Sequence, residues 1–421
     1  MEMKVEILSR DLVKPSSPTP NHLRDYKLSL LDQFIPEFHW GIVFFYSPTK
    51  NTTTQILKKS LSETLTDFYP IAGRHKDSST IDCNDEGGYF VEAKINSKAQ
   101  ELPQSTYLDP KTVELASKCL LIVQLTTFEC QGVAISFCLD HRFCDFSSLL
   151  TFLKNWSARA RGSGEEIVPP AFIGASFLPP KDLPPLPAVE NKITTRTTTR
   201  LGFEASKISA LKHKFAVGIS SYHPSRVEVV VALIVKSSIA ATRSSSSNYV
   251  IFQAVNLRKR TEPPLPDNSI GNLFCMLPVS IQENDIEFHE LVAKMRRETT
   301  LFYSDKVHKI KGDDEGIDFL FGCAKENGEI MNKVDNLNIY FSSSWCKFPV
   351  YEIDFGWGKP IWVSNGVFSP TNIIVLGDTK CGTGIEAWVT LDAQVMALFE
   401  QDEELLSFAS LNPKVDHGLS L

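Results

Sequence analysis

Between Val168 and Pro187 the chain runs VPPAFIGASFLPPKDLPPLP, seven prolines in twenty residues. Proline has no N–H to donate, and its ring clashes with a preceding helical turn. The run can therefore form neither a helix nor a central strand. The threonine-rich ITTRTTTRLGF that follows reads as extended chain. Residues 166–200 are expected to be a crossover between an N-terminal domain, 1–165, and a C-terminal domain, 201–421. Length agrees: at 421 residues the chain exceeds the roughly 250–300 residues that a single core usually holds.

Both halves alternate strand-like and helix-like segments. In the first, 41–46 (GIVFFY), 119–125 and 133–139 are apolar runs of strand length. Leu57, Leu61, Leu65 and Phe68 fall on one face of a helix predicted over 52–68. In the second half, helices are predicted near 207–215, 226–238, 288–302 and 394–400. Strands are predicted near 249–255, 373–376 and 385–390. Alternation of this kind specifies an α/β class with mixed sheets.

Composition removes several functions. With 43% hydrophobic and 22% charged residues the chain is an ordinary globular protein. Its net charge of -7 argues against a nucleic-acid partner, so any anionic ligand must be held by local cations. No stretch of about 18 apolar residues suggests a membrane span, and the opening MEMKVEILSRDLVKPSS lacks a signal core. Nine scattered cysteines without a CxxC pair fit reduced thiols in the cytoplasm.

Chemistry concentrates in His141–Arg142–Phe143–Cys144–Asp145. The preceding apolar run ends at the histidine, and Leu149, Leu150, Leu153 and Trp156 then take helical spacing. A histidine at a strand end can serve as a general base near neutral pH. The residues alone leave other readings open. Asp145 could simply cap the helix. A metal site lacks a third ligand nearby, and a serine hydrolase lacks its GxSxG elbow. Farther on, DFGWGKP (354–360) specifies a tight irregular turn with little chemistry beyond Asp354.

Taken together, HxxxD at 141–145 and DFGWG at 354–358 resemble the signatures of the plant BAHD acyltransferases. SPTP followed by LSLLDQ, YPIAGR (69–74), IDCNDEG, QAVNLRKR (253–260) and SSWCKFPVYEIDFGWGKP agree. The resemblance spans 14–408 and is strongest to the vinorine-synthase-like, alkaloid-acetylating branch. It implies two chloramphenicol-acetyltransferase-like domains with a channel between them. Acyl-CoA, acetyl-CoA first, would be a co-substrate, with no permanently bound cofactor or metal. His141 would be the base acting on the acceptor hydroxyl in a ternary complex. Asp145 would pair with Arg258 and orient the histidine loop. Ser343 and Trp345 are implied as oxyanion donors, and Ser225, Arg226 and Arg260 as CoA-phosphate ligands. Asp354, Gly356, Trp357 and Gly358 would be structural.

The function so implied is O-acylation of a plant specialised metabolite, an alkaloid first, by a cytoplasmic monomer without membrane or nucleic-acid partners. Another acceptor or donor (an amine, a terpenoid, a sugar ester; a branched or aromatic acyl group) remains the alternative within the enzyme class. A non-catalytic ligand-binding paralogue is the alternative outside it. Two departures bear on that choice: Phe146 stands where the family has glycine, and Asp140 where it has a small neutral residue. As strand neighbours, Asp140 and His141 should point to opposite sides. Cys144 is expected to be packing, with no cationic neighbour in sequence to activate it.

Overall fold

A computed structural model describes residues 5–48, 54–96, 114–162, 167–183, 196–216, 223–242, 248–282, 285–332, 337–366 and 372–414. Two mixed sheets organise it. The first has six strands in the order Val5–Val13, Gly88–Ile95, Leu121–Phe128, Val133–Asp140, His39–Tyr46 and Trp362–Asn365. The second has seven, ordered Phe274–Gln282, Asn248–Asn256, Asn338–Ser344, Ile373–Asp378, Ile385–Asp392, Arg196–Phe203 and Ser410–Leu411. A small three-stranded sheet of Asp25–Lys27, Thr80–Asp82 and Arg74–His75 lies beside them.

Side-chain alternation builds the cores. Along Val133–Asp140, the odd-numbered Val133, Ile135, Phe137 and Leu139 enter the first core. The helices Thr54–Asp67 and Phe146–Arg161 cover that face. Leu57, Leu61 and Leu65 are buried as their spacing requires, each contributing about 1.5–3 kcal/mol by transfer out of water. The indole of Trp156 is buried between the two helices and donates to the Leu57 carbonyl and to Ser60 Oγ at 3.2 and 3.0 Å. In the second half, Arg226–Thr242 is apolar nearly all round, and it packs against Ala393–Phe399 and Phe288–Leu301 over the second sheet.

Three features depart from the sequence expectation. The proline-rich run contains a single-turn helix, Gly174–Phe177, in the gap between proline pairs; four residues fit where a longer helix would meet a proline. The strand Arg196–Phe203 begins inside the expected crossover, whose residues 184–195 lie outside the described set. Finally, Trp362–Asn365, late in the chain, pairs antiparallel with His39–Tyr46 and completes the first sheet. Crossover residues also brace distant loops. Leu30 donates to the Leu178 carbonyl, Ile270 to that of Ala171, and Lys181 to Gln33 Oε1, each at 2.9 Å.

Candidate active site

Asn248–Asn256, Asn338–Ser344 and Ile373–Asp378 run parallel, so their carboxyl ends share one edge of the second sheet. Phe274 begins the antiparallel neighbour at that same edge. The ring of Phe274 lies 6.1 Å from that of His141, which follows the last residue of Val133–Asp140 in the first sheet. The histidine thus sits where an edge of each sheet meets the other half.

Asp145 is the N-cap of Phe146–Arg161. Its Oδ1 accepts from the Ser148 backbone N–H and from Ser148 Oγ, each at 2.9 Å. Capping satisfies helix-end donors that otherwise lack acceptors. The same carboxylate receives Arg258, with Nη1 to Oδ2 at 2.7 Å and Nη2 to Oδ1 at 3.0 Å. Both partners are buried, Arg258 at 1% exposure. A buried charge is tolerated only when paired and hydrogen-bonded. Arg258 meets that condition by also donating to the carbonyls of Ser269 and Gly271 at 2.8 and 3.2 Å. Its guanidinium therefore joins the histidine loop of the first half to the 269–272 loop of the second.

Asn272, at the end of that second loop, touches His141 twice. Its Nδ2 donates to the His141 carbonyl at 2.7 Å, and its Oδ1 lies 3.1 Å from Nδ1 of the imidazole. Nδ2 also donates to Asp32 Oδ1 at 2.8 Å, which fixes the orientation of the amide. Oδ1 can only accept, so Nδ1 carries the proton and Nε2 keeps its lone pair. Among the described residues no group engages Nε2. Asp32 itself is buried. It accepts from the Asn272 backbone N–H at 2.6 Å, from the Ser29 N–H at 2.8 Å and from Ser29 Oγ at 2.6 Å. The Asn272 and Asp32 contacts escaped the sequence reading; the one available signal was LSLLDQ, whose capping-box spacing places Ser29 three residues before Asp32.

The imidazole packs against Phe38 and Trp40, at 4.9 and 5.5 Å between ring centroids. Burial lowers its pKa below 6.5, against opposing hydrogen bonds from its own backbone and Asn272 and the charges of Asp145 and Asp140. It is therefore neutral at physiological pH. Asp140 turns to the other side of the strand, where Oδ2 lies 2.9 Å from His75 Nε2 and Oδ1 accepts from the Arg142 N–H at 2.8 Å. Burial raises the Asp140 pKa, but His75, His39 and the Arg142 N–H together outweigh burial and hold it below the usual carboxylate range. Cys144 is buried beside Asp145, and burial drives its thiol pKa upward, which removes it as a nucleophile.

Phe146 stacks on Trp345, and Trp40 lies within 6.1 Å of the first and 6.2 Å of the second. Trp345 is thus part of an aromatic cluster spanning both halves. Ser343 sits half-buried on the preceding strand Asn338–Ser344, in register with Val375. Ser225 caps Arg226–Thr242 reciprocally with Glu228, and Arg226 is engaged by Asp378 and by the carbonyls of Gly382 and Thr383. Arg260 is exposed, donates to the Asn256 carbonyl at 2.6 Å and lies 5.0 Å from the Tyr303 ring.

DFGWG forms a separate turn. Asp354 Oδ1 accepts from the N–H groups of Gly356, Trp357 and Gly358 at 2.7, 3.0 and 3.0 Å. Gly356 and Gly358 hold φ of +95° and +90°, a region costly for any side chain. Phe355 and Trp357 pack on Trp156 and Tyr46 of the first core, at 4.7 and 5.5 Å. Among the described residues no cluster of three or more His, Cys, Asp or Glu could hold a metal ion, and no helix is long and apolar enough to cross a membrane.

A family model described as "Transferase family" matches residues 3–406. Akuammiline synthase 1 of Alstonia scholaris is 39% identical over 96% of this chain and 97% of that protein. A limonoid 7-O-acetyltransferase of Citrus sinensis is 35% identical over 98% and 99%. The crystal structure of vinorine synthase superposes with a TM-score of 0.81 at 34% identity, covering 97% of this chain and 99% of that one. With two acetyltransferase-like halves meeting at His141, the chain belongs to the plant BAHD family of acyl-CoA-dependent acyltransferases.

Proposed function

We propose that the protein transfers an acetyl group from acetyl-CoA to a hydroxyl of an alkaloid, with His141 as general base. The observation that carries the chemistry is the imidazole whose Nδ1–H is given to Asn272 while Nε2 stays open. Nε2 takes the acceptor's hydroxyl proton as the oxygen attacks the thioester carbonyl. The tetrahedral intermediate then collapses, the C–S bond breaks, and the CoA sulfur leaves with the proton returned from Nε2. A base matched to neutral pH supplies about 10²–10⁴-fold, and holding both substrates together supplies much of the rest.

Ser343 Oγ and the Trp345 indole N–H are the proposed donors to the oxyanion. Arg260, exposed beyond the strand Asn248–Asn256, is one proposed CoA-phosphate ligand; Ser225 and Arg226 would bind through their helix start. Asp145 orients the loop and takes no part in the proton transfer. The two-domain reading puts both substrates between the halves. The alkaloid acceptor rests on the branch resemblance, and acetyl transfer has support in the name of the Citrus relative. A cytoplasmic setting fits nine free cysteines.

The test is CoA release from acetyl-CoA with a panel of alkaloid and other alcohols, comparing the wild type with His141→Ala. Turnover with an alkaloid alcohol that His141→Ala loses by at least about a hundredfold supports the reading. Turnover only with amines or other acyl donors would overturn the substrate assignment, and none with any pair would leave a binding protein.

A further inference from the structure

Asp32 and Asn272 lie 109 and 131 positions from His141 in sequence yet form one continuous hydrogen-bonded row with it. We propose that Asp32, acting through the Asn272 amide, is the positioning group that holds His141 in its reactive tautomer; the inference rests on His141 being the base.

Four observations support the assignment. Nδ2 of Asn272 is used twice, on Asp32 and on the His141 carbonyl, so the amide cannot flip and present a donor to Nδ1. Asp32 is locked in its turn by Ser29, which caps the short helix Leu30–Gln33. Gly271, at φ +126°, passes close to the Asp32 carboxylate: a Cβ there would lie 3.4 Å from Oδ2 and 3.5 Å from Oδ1. That backbone course aims the next N–H, of Asn272, at Asp32 Oδ1, 2.6 Å away. Finally, the crossover pins the region from outside, through Leu30 to Leu178 and Ile270 to Ala171. An isolated helix cap would need only the second of these, the Ser29 contacts.

The row also bears on charge. When Nε2 takes the acceptor proton, the imidazolium is faced by Asp145, whose charge Arg258 largely neutralises, by Asp140 on the far side of the strand, and by Asp32 through the amide. Phe38, Trp40 and Phe274 line the rest and carry no formal charge. Burial raises the Asp32 pKa while its hydrogen bonds from Ser29 and Asn272 oppose that. Polarising Asn272 toward Nδ1–H favours the charged imidazole in the transition state without placing a carboxylate against it.

The experiment measures pH profiles of kcat/KM, and kcat and KM separately, for the wild type, Asp32→Asn, Asn272→Ala and Gly358→Ala. The last alters the remote DFGWG turn and controls for lost stability. Both site variants are expected to lower kcat about tenfold or more, as mispositioned reacting groups do. They should leave the KM values within about twofold, as expected for a group that acts in the transition state, and move the acid limb to lower pH. Gly358→Ala is expected to lower the unfolding midpoint alone. If the site variants behave like Gly358→Ala, Asp32 is only a cap and the proposal fails. A second readout needs no variant at Asp32 or Asn272: in protein labelled with ¹⁵N-histidine, the signal absent from His141→Ala should show Nδ1 protonated and Nε2 bare at neutral pH. The opposite tautomer overturns the proposal even if the variants do not fold. Should His141→Ala keep full turnover, the base assignment itself has failed, a result distinct from either.

Discussion

Phe146 and Trp345 lie face to face, 4.3 Å between ring centroids and 6° between ring planes, one from each half of the molecule. Phe146 is the residue after the histidine loop's aspartate, and Trp345 follows the strand Asn338–Ser344. Aromatic pairs in such offset arrangements add about 0.5–1.5 kcal/mol beyond their buried area. The side chain at 146 therefore fills volume beside Trp40, which itself touches His141.

Replacing Phe146 by Ala is expected to cost about 3–5 kcal/mol of stability and to enlarge the space behind Trp40. The ratio of kcat/KM for butyryl-CoA to that for acetyl-CoA should rise in the variant. An unchanged ratio would mean that Phe146 does not bound the acyl site.

Arg258→Met leaves the Asp145 carboxylate buried without its cation. Breaking a buried pair in this way costs about 3–5 kcal/mol, read by denaturant unfolding. Asp145→Asn combined with Arg258→Met should cost less than the sum of the single changes, because the second change removes the charge that the first stranded. Strict additivity would show that the two residues act independently.

The acid side of the pH profile follows from burial of His141. Its pKa lies below 6.5, so the acid limb of kcat/KM should fall below that value. Stability takes the same direction. Between the lowered folded pKa and the ordinary value near 6.5, the unfolded chain binds the proton and the folded one does not, so stability falls as pH drops through this window. Asp140, whose pKa is lowered by His75 despite burial, adds a further loss as pH falls through the carboxylate range. An acid limb above pH 7 would contradict the neutral, half-buried imidazole.

Gly358→Ala should lower stability by about 1–2 kcal/mol, the cost of a side chain at positive φ, although nothing lies within 4 Å of its added Cβ. At temperatures where it stays folded, its kcat should match the wild type. A variant that folds normally but turns over slowly would place the DFGWG turn in the reaction.

Periodicity made the helix Phe146–Arg161 and the strand ending at Asp140 legible, because Leu149, Leu150, Leu153 and Trp156 must share a buried face. The alternation of that strand likewise put Asp140 on the side away from His141. The helix Asp314–Asn332 was not legible: Gly316, Gly322 and Gly328 interrupt it, each costing about 1 kcal/mol against alanine. Trp362–Asn365 is too short for any pattern to register, and only its pairing with His39–Tyr46 defines it. Within the site, His141, Asp145 and Arg258 stand in recognisable strings. Asn272 and Asp32 do not announce themselves, since their meaning lies in contacts made across 131 and 240 positions.

The strand Trp362–Asn365 also sets a timetable for biosynthesis. The neighbour that covers the outer edge of residues 39–46 is made more than 300 residues after them. Until then the nascent first sheet presents the backbone of His39–Tyr46, a strand that includes Phe44 and Phe45, as an open template. Unpaired edges of this kind invite pairing with other chains. Messages truncated before codon 362 should therefore yield product that aggregates through this edge, and chaperones that shield β edges are expected to bind the nascent chain until residues 362–365 emerge.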